Sequence, residues 1–292
     1  ARAVTGREKL LGFQGSYHGS VISFGAYGNS MNVPFDWTYG RYNDVEATRQ
    51  QIRELGSELA AVIFEPMTGS GGCIPATAEF VAMIREETER AGALMIMDEV
   101  MTSRLSPGGL HGLWGATPDL VSFGKYLGGG LTFGAFGGRA DIMNRFDPSK
   151  PGAFAHAGTF NNNVLSLSAA IAGLGKVYTP EAAARLNGDG DILRGRLNDA
   201  LKSAGVAGQV TGIGSMMMVH LTDKPLNGPT DADQVSPTLR GLIHLGLIER
   251  GYYVARRNMI VLSLPMGAAE MDGLVAAFKD VLATYKNVLP EA

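Results

Sequence analysis

The chain has 292 residues, 45% hydrophobic and 18% charged, with a formal net charge of −3 at pH 7, a globular composition long enough for one large domain or one large and one small. Its 25 basic residues are scattered, with no run longer than Arg256-Arg257, so there is no electrostatic case for nucleic acid or a membrane surface, and no apolar stretch reaches the length of a membrane span. The single cysteine, Cys73, excludes a disulfide within the chain and fits a reducing cytoplasm.

Ala1 to Gly6 reads as the last turn of a helix ended by glycine, without an N-cap signal, so the sequence is expected to open inside an element. A short strand, Lys9 to Phe13, precedes a loop-rich stretch at 15–42. Asn43 or Asp44 then caps a helix running to about Leu55. Leu59 to Phe64 is short and continuously apolar, the pattern of a parallel strand covered on both faces. It ends at Glu65-Pro66. Thr77 opens a helix to about Ala91. Further buried strands are predicted over Ala93 to Met97, ending at Asp98-Glu99; over Asp119 to Phe123, ending at Gly124-Lys125; and over Phe133 to Gly138.

Strand and helix in alternation predict a parallel α/β sheet. Ligands of such sheets sit beyond the carboxyl ends of the strands. Glu65, Asp98 and Lys125 all stand at such ends and are predicted to converge. From about Pro180 the character changes to α+β: a helix over Glu181 to Ala204, a strand over Ser215 to Leu221, and a polar loop at 222–237. A helix over Thr238 to Glu249, strands over Tyr252 to Val254 and Met259 to Ser263, and a helix over Ala268 to Tyr285 follow. Residues 1–178 therefore read as a large domain and 179–292 as a smaller one.

Glycine is over-used, at 40 residues, with clusters at 69–72, 128–130 and 134–138. Such clusters mark loops where backbone approaches a ligand or another backbone. Gly128-Gly129-Gly130 with Gly134 lacks the spacing and context of a dinucleotide fingerprint.

Asp98 and Lys125 carry the chemical signal. A lysine amine can form a Schiff base with the aldehyde of pyridoxal 5'-phosphate (PLP). A carboxylate can pair with the cofactor's ring nitrogen and keep the ring an electron sink. The amine must be deprotonated to react, which calls for a partly desolvated, glycine-lined pocket. Either residue alone has a plainer reading, since a lysine after a strand is usually solvated and an aspartate there is usually a turn or cap residue.

Five motifs in order add to the pair: GSYHG at 15–19, EPMTGSGG at 65–72, MIMDEVMTSR at 95–104, SFGKYLGGGLTFGAFGG at 122–138 and HAGTFNNN at 156–163. With them the chain resembles, over essentially its whole length, the class III aminotransferases of PLP fold type I. The resemblance implies a mainly parallel sheet with flanking helices and a smaller α+β C-terminal domain. It implies that Lys125 carries the cofactor and shuttles a proton, and that Asp98 pairs with the pyridine nitrogen. Val100 would press one face of the ring and Tyr17 would stack on the other, with His18 and Met101 among the cofactor-binding residues. Glu65 would lie beneath the site. Thr159 would reach the phosphate of a neighbouring subunit's cofactor, which makes the enzyme a homodimer. No metal is implied. Plainer readings remain for Tyr17, as a core or interface tyrosine, and for Thr159, as a turn residue before a helix starting near Asn162.

Within the family, DEVMTSRL, GKYLGGGLTFGAFGG and GTFNNN resemble the β-amino-acid (β-phenylalanine) aminotransferases more than glutamate-1-semialdehyde aminomutase, which more often continues DEVMT with Gly-Phe-Arg where this chain has Ser103-Arg104-Leu105. Arg257, ahead of MIVLSLP, resembles the arginine that holds a substrate carboxylate in the β-amino-acid enzymes, a task that suits a guanidinium fork. Arg256 is the adjacent candidate, and a solvated turn pair is the alternative for both. The function implied is transfer of an amino group from an amino acid, a β-amino acid favoured, to a 2-oxo acid. The aminomutase is one alternative. A truncated, non-catalytic PLP-fold protein is another, because the family's N-terminal small-domain segment and its Ser-Gly-Thr phosphate loop at a helix N-terminus have no counterpart in these residues. Weaker cofactor affinity is the expectation if the protein itself, and not only this stretch of it, lacks that part.

Overall fold

In a computed structural model, which describes residues 1–25 and 30–292, the apolar runs become one six-stranded sheet. Its strands are β1 (Lys9–Phe13), β2 (Asp36–Gly40), β3 (Leu59–Phe64), β4 (Leu94–Asp98), β5 (Leu120–Gly124) and β6 (Gly134–Gly138), in spatial order β2-β1-β3-β4-β5-β6. The first five pair in parallel and β6 runs antiparallel to β5. β1, β3 and β4 do not alternate in polarity because both of their faces are covered, whereas β2 is only half buried and β6 is largely exposed. Leu11, Phe13, Val62, Phe64, Met95 and Met97 point to one side, where Ile52, Phe80 and Ile84 from two helices meet them. Leu10, Ala61, Leu94 and Leu120 point to the other, against Ile142.

Those two helices start where their caps require. The Asp44 side chain accepts from the Ala47 N–H at the head of the helix Val45–Leu55, and Thr77 accepts from the Phe80 N–H at the head of Ala78–Ala91. Each satisfies an amide that the first turn leaves open.

By contacts the chain divides into two units, Ala1–Pro66 with Ala76–Glu181, and Met67–Pro75 with Ala182–Ala292. The second unit contains an antiparallel sheet of β7 (Gln209–Ile213), β8 (Met216–His220) and β9 (Met259–Val261). The helices Pro237–Glu249 and Ala268–Thr284 accompany it. The sequence division at 178/179 leaves Met67–Pro75 in the first domain. Its glycines instead belong with the second unit, where the Gly72 carbonyl accepts from Thr211 Oγ1 at 2.6 Å and lies 3.0 Å from His220 Nε2. Burial lowers the His220 pKa below its ordinary value, which favours a neutral ring that can donate from Nε2.

Three local expectations fail. The stretch 15–42, read as loop, contains β2, an edge strand whose Asp-Trp-Thr-Tyr-Gly sequence is only half buried and so carries no apolar run; residues 26–29 of that stretch lie outside the described residues. β7 went unread because Gly208 and Gly212 break up its pattern. Tyr252–Val254 is no strand. The Tyr252 N–H closes the preceding helix on the Leu247 carbonyl, and Tyr253 is 87% exposed. Among the described residues no helix is long and apolar enough to cross a membrane.

Candidate active site

β4 ends in Asp98, which pairs in register with Ser122 of β5. That register brings the Ser122 hydroxyl to Asp98 Oδ1 at 2.9 Å, and the Val100 N–H donates to the same oxygen at 3.0 Å. Asp98 Oδ2 lies 2.7 Å from His18 Nδ1. A carboxylate only accepts, so Nδ1 carries the proton in this pair. Asp98 is 8% exposed. Burial by itself would raise its pKa. The His18 hydrogen bond and charge, the Val100 amide and the Ser122 hydroxyl outweigh burial, and the pKa lies below its ordinary value. Asp98 is therefore an anion held in a dry place. On the far side of the imidazole, His18 Nε2 is buried with no hydrogen-bond partner among the described residues.

His18 is placed by the turn that leaves β1. In that turn the Tyr17 N–H donates to Glu65 Oε1 at 3.0 Å, so the buried Glu65 at the end of β3 fixes the backbone of GSYHG. Glu65 is itself held from behind, since the Tyr42 hydroxyl donates to its main-chain carbonyl at 2.6 Å. Burial raises the Tyr42 pKa well above its ordinary value, which keeps this phenol a donor. Tyr17 stays 45% exposed.

Val100 turns back towards β5. A methyl group on Gly124 would lie 3.4 Å from Val100 Cγ1, so Val100 rests against the residue that precedes Lys125. Lys125 has φ 52°, in the left-handed region, where a side chain is strained. Its side chain is exposed, not set in the partly desolvated pocket the sequence implied. The 3₁₀ turn Lys125–Gly128 carries it off the strand end, and Gly129 and Gly130 beside it have no side chains with which to cover it. Met101 is half-buried just before the 3₁₀ turn Thr102–Leu105.

A continuous set of contacts thus joins Glu65, Tyr17, His18, Asp98, Val100 and Lys125. Thr159 stands outside that set. It is exposed, in the turn ahead of the helix Val164–Ala172, whose N-cap is Asn163. Arg256 and Arg257 are exposed on a turn of the second unit, closed by the Ala255 N–H to the Met259 carbonyl and the Asn258 N–H to the Ala255 carbonyl. Sequence reasoning missed Ser122 and Tyr42. Ser122 is the one polar residue inside the run Leu120–Gly124, and that interruption was a usable signal; Tyr42 offered none.

The family described as aminotransferase class-III matches residues 1–251. The chain is 46% identical over 288 residues to the β-phenylalanine transaminase of Variovorax paradoxus, covering 99% of this chain and 66% of that protein. The crystal structure of the β-phenylalanine aminotransferase from that organism superposes with a TM-score of 0.97, over 100% of this chain and 67% of that one. A glutamate-1-semialdehyde 2,1-aminomutase of Heliobacterium modesticaldum is 33% identical, over 96% of this chain and 68% of that protein. A transaminase solved with PLP bound is 31% identical with a TM-score of 0.85, over 97% and 69% of the two chains. The chain thus spans about two thirds of the length of the relatives it matches. The fold is that of PLP-dependent enzymes of fold type I.

The residues present fit that cofactor. Asp98 is buried yet anionic and would hold the ring nitrogen. Lys125 Nζ is free of the strand and would take the aldehyde carbon. Val100 and Tyr17 would lie against the ring's two faces. When bound, the cofactor supplies an electron sink for charge developing on the substrate carbon. Among the described residues, no group of three or more His, Cys, Asp or Glu could hold a metal ion.

Proposed function

Because the chain belongs to the class III aminotransferase family, we propose that it transfers an amino group from a β-amino acid such as β-phenylalanine to a 2-oxo acid, with Lys125 as the residue that holds the cofactor. One observation carries this reading: the buried, anionic Asp98 is joined through Val100 and Gly124 to a lysine held in a strained backbone. Lys125 Nζ would take the proton from the amino-bearing carbon of the substrate and hold it. Asp98, whose own pKa is lowered, would hold the cofactor's ring nitrogen as an anion that does not compete for its proton. Tyr17 and Val100 fix the plane in which the reaction occurs. The exposed Arg257 binds the substrate carboxylate, with Arg256 beside it.

In this reading the large domain, 1–178, binds the cofactor and 179–292 is the small domain. The enzyme is a homodimer in which Thr159 reaches the partner's cofactor phosphate. Support for a second copy comes from the segment after Thr159, where Phe160, Val164, Leu165 and Ile171 are 84%, 74%, 72% and 74% exposed, more apolar surface on one short helix and the turn before it than a monomer usually leaves in water. The reaction belongs to the cytoplasm, a placement supported by a count of one cysteine, Cys73, which leaves these residues no disulfide to form among themselves.

The test is a panel of amino donors assayed with pyruvate and with 2-oxoglutarate. Turnover of β-amino acids that needs an external 2-oxo acid supports the reading. Conversion of glutamate-1-semialdehyde without an acceptor would point to the aminomutase. A protein that gains no visible-range absorbance with added PLP would point to a non-catalytic member of the fold. Lys125→Ala is expected to abolish turnover.

A further inference from the structure

The strained backbone of Lys125 needs something to hold it, and two independent contacts lead to the same place. The 3₁₀ turn that carries the lysine ends at Gly129, with φ 59° and its N–H donating to the Tyr126 carbonyl. Gly129 lies flat against the main chain of the helix Val164–Ala172. A Cβ built on it would stand 2.6 Å from the Ala169 carbonyl carbon and 3.1 Å from the Ala169 Cβ, closer still to the Ala169 oxygen. One turn further on, a Cβ on Gly173 would be 3.4 Å from the Gly129 Cα. Backbone meets backbone here, and backbone cannot swing aside as a flexible side chain can.

The second contact starts from the residue after the lysine. The Tyr126 ring meets the Tyr178 ring edge to face, with centroids 5.2 Å apart. Tyr178 follows directly on the π-helical segment Gly173–Val177 that extends the same helix. Its N–H donates to the Gly173 carbonyl at 2.7 Å and its hydroxyl to the Arg104 carbonyl at 2.6 Å. A π turn holds more residues per turn than an α turn, and such turns are often found where a helix is bent to serve a site. This one ends with Tyr178 against Tyr126, while Gly173 at its start faces Gly129.

We propose that the helix Val164–Ala172 and its π-helical extension form the seat that holds Lys125 in its left-handed conformation, with Gly129 and Tyr178 as positioning residues for the lysine amine. The proposal rests on the reading of Lys125 as the cofactor lysine. The physical logic is that a strained backbone persists only where its surroundings over-determine it. Val100 and Phe133 hemmed against Gly124 and Gly128 constrain the turn from the sheet side. The seat constrains it from the other side. An extra methyl at Gly129 must push the turn away from Ala169 and carry Lys125 with it.

The experiment compares the wild-type chain with Gly129→Ala, Tyr178→Phe and, as a control, Gly112→Ala, where an added methyl meets open space. Two quantities are followed. One is the rate at which PLP becomes attached, from visible absorbance. The other is the pH profile of Lys125 acylation by an amine-selective reagent in the cofactor-free protein. Gly129→Ala is expected to slow attachment at least about tenfold and to shift the acylation profile. Tyr178→Phe, which keeps the ring and loses only the bond to Arg104, is expected to do the same in weaker form, about threefold. Gly112→Ala should match the wild type. Wild-type behaviour in both seat variants, with attachment at Lys125 intact, overturns the seat and leaves the lysine reading standing. Attachment of PLP elsewhere in the wild type overturns both. If Gly129→Ala does not fold, Tyr178→Phe decides alone: a changed rate and profile supports the seat, and unchanged ones overturn it.

Discussion

Replacing His18 with phenylalanine removes the strongest single support of the Asp98 charge. The ring is kept, so its edge-on contact with Phe24, at a centroid distance of 5.9 Å, has a substitute. The 2.7 Å bond to Asp98 Oδ2 is lost. A hydrogen bond to a charged group is worth about 1.5–3 kcal/mol net, and with Asp98 only 8% exposed water does little to replace it. The Val100 amide and the Ser122 hydroxyl remain but must then oppose burial without help. The Asp98 pKa should rise towards or above its ordinary value. A carboxyl whose folded pKa is lowered contributes stability above its unfolded pKa and loses it as the pH falls through the folded one. The variant forfeits that contribution. Its deficit against the wild type should therefore be about 1.5–3 kcal/mol at neutral pH and should shrink on acidification through the aspartate range, about pH 4 and below. Urea melts of both proteins across that range, without cofactor, measure it. Equal stability at pH 7 would refute the reasoning. So would a deficit that does not change with pH, since that would be lost packing and not lost charge support.

Lys125→Gly relieves left-handed strain of about 1–2 kcal/mol and adds roughly 0.5–1 kcal/mol of chain entropy to be lost on folding. The cofactor-free variant should therefore be as stable as the wild type or more so, by up to about 1.5 kcal/mol in thermal unfolding, while cofactor attachment disappears. Glu99→Gln should cost at least about 3 kcal/mol in urea unfolding. Glu99 is fully buried and accepts from Thr102 Oγ1, from the Leu110 and His111 amides and from His111 Nδ1, and an amide nitrogen would face some of those donors. Arg257→Ala should raise KM for a β-amino acid about tenfold or more with a smaller change in kcat, as loss of a charge-assisted carboxylate contact requires; Arg256→Ala should have less effect, and steady-state kinetics separate them.

Most of the large sheet could be read from the sequence because its strands are buried on both faces. Leu59–Phe64 is an unbroken apolar run for that reason, and Asp44 and Thr77 announce their helices because a capping side chain is a local requirement. Asp98 and Lys125 were visible because both stand at the carboxyl ends of such runs, where α/β sheets bind their ligands, and because ordered motifs surround them; neither would have stood out alone. What escaped depends on partners distant in sequence. β2 is half solvated at the sheet edge, so pairing with β1, not pattern, makes it a strand. The bond between His18 and Asp98 spans 80 positions, and Tyr42 acts on Glu65 through a main-chain carbonyl that no motif encodes. The strain at Lys125 and the close approach of Gly129 to Ala169 are facts of backbone geometry. The sequence hinted at them only through its glycine clusters.

The central claim is that Lys125 is the residue to which the cofactor is attached. Reconstitution with PLP, reduction with borohydride, digestion and mass mapping of the peptides test it directly. The account predicts one modified peptide, containing Lys125, and none in the Lys125→Ala variant. A modification spread over other lysines, or one that survives in that variant, would contradict it.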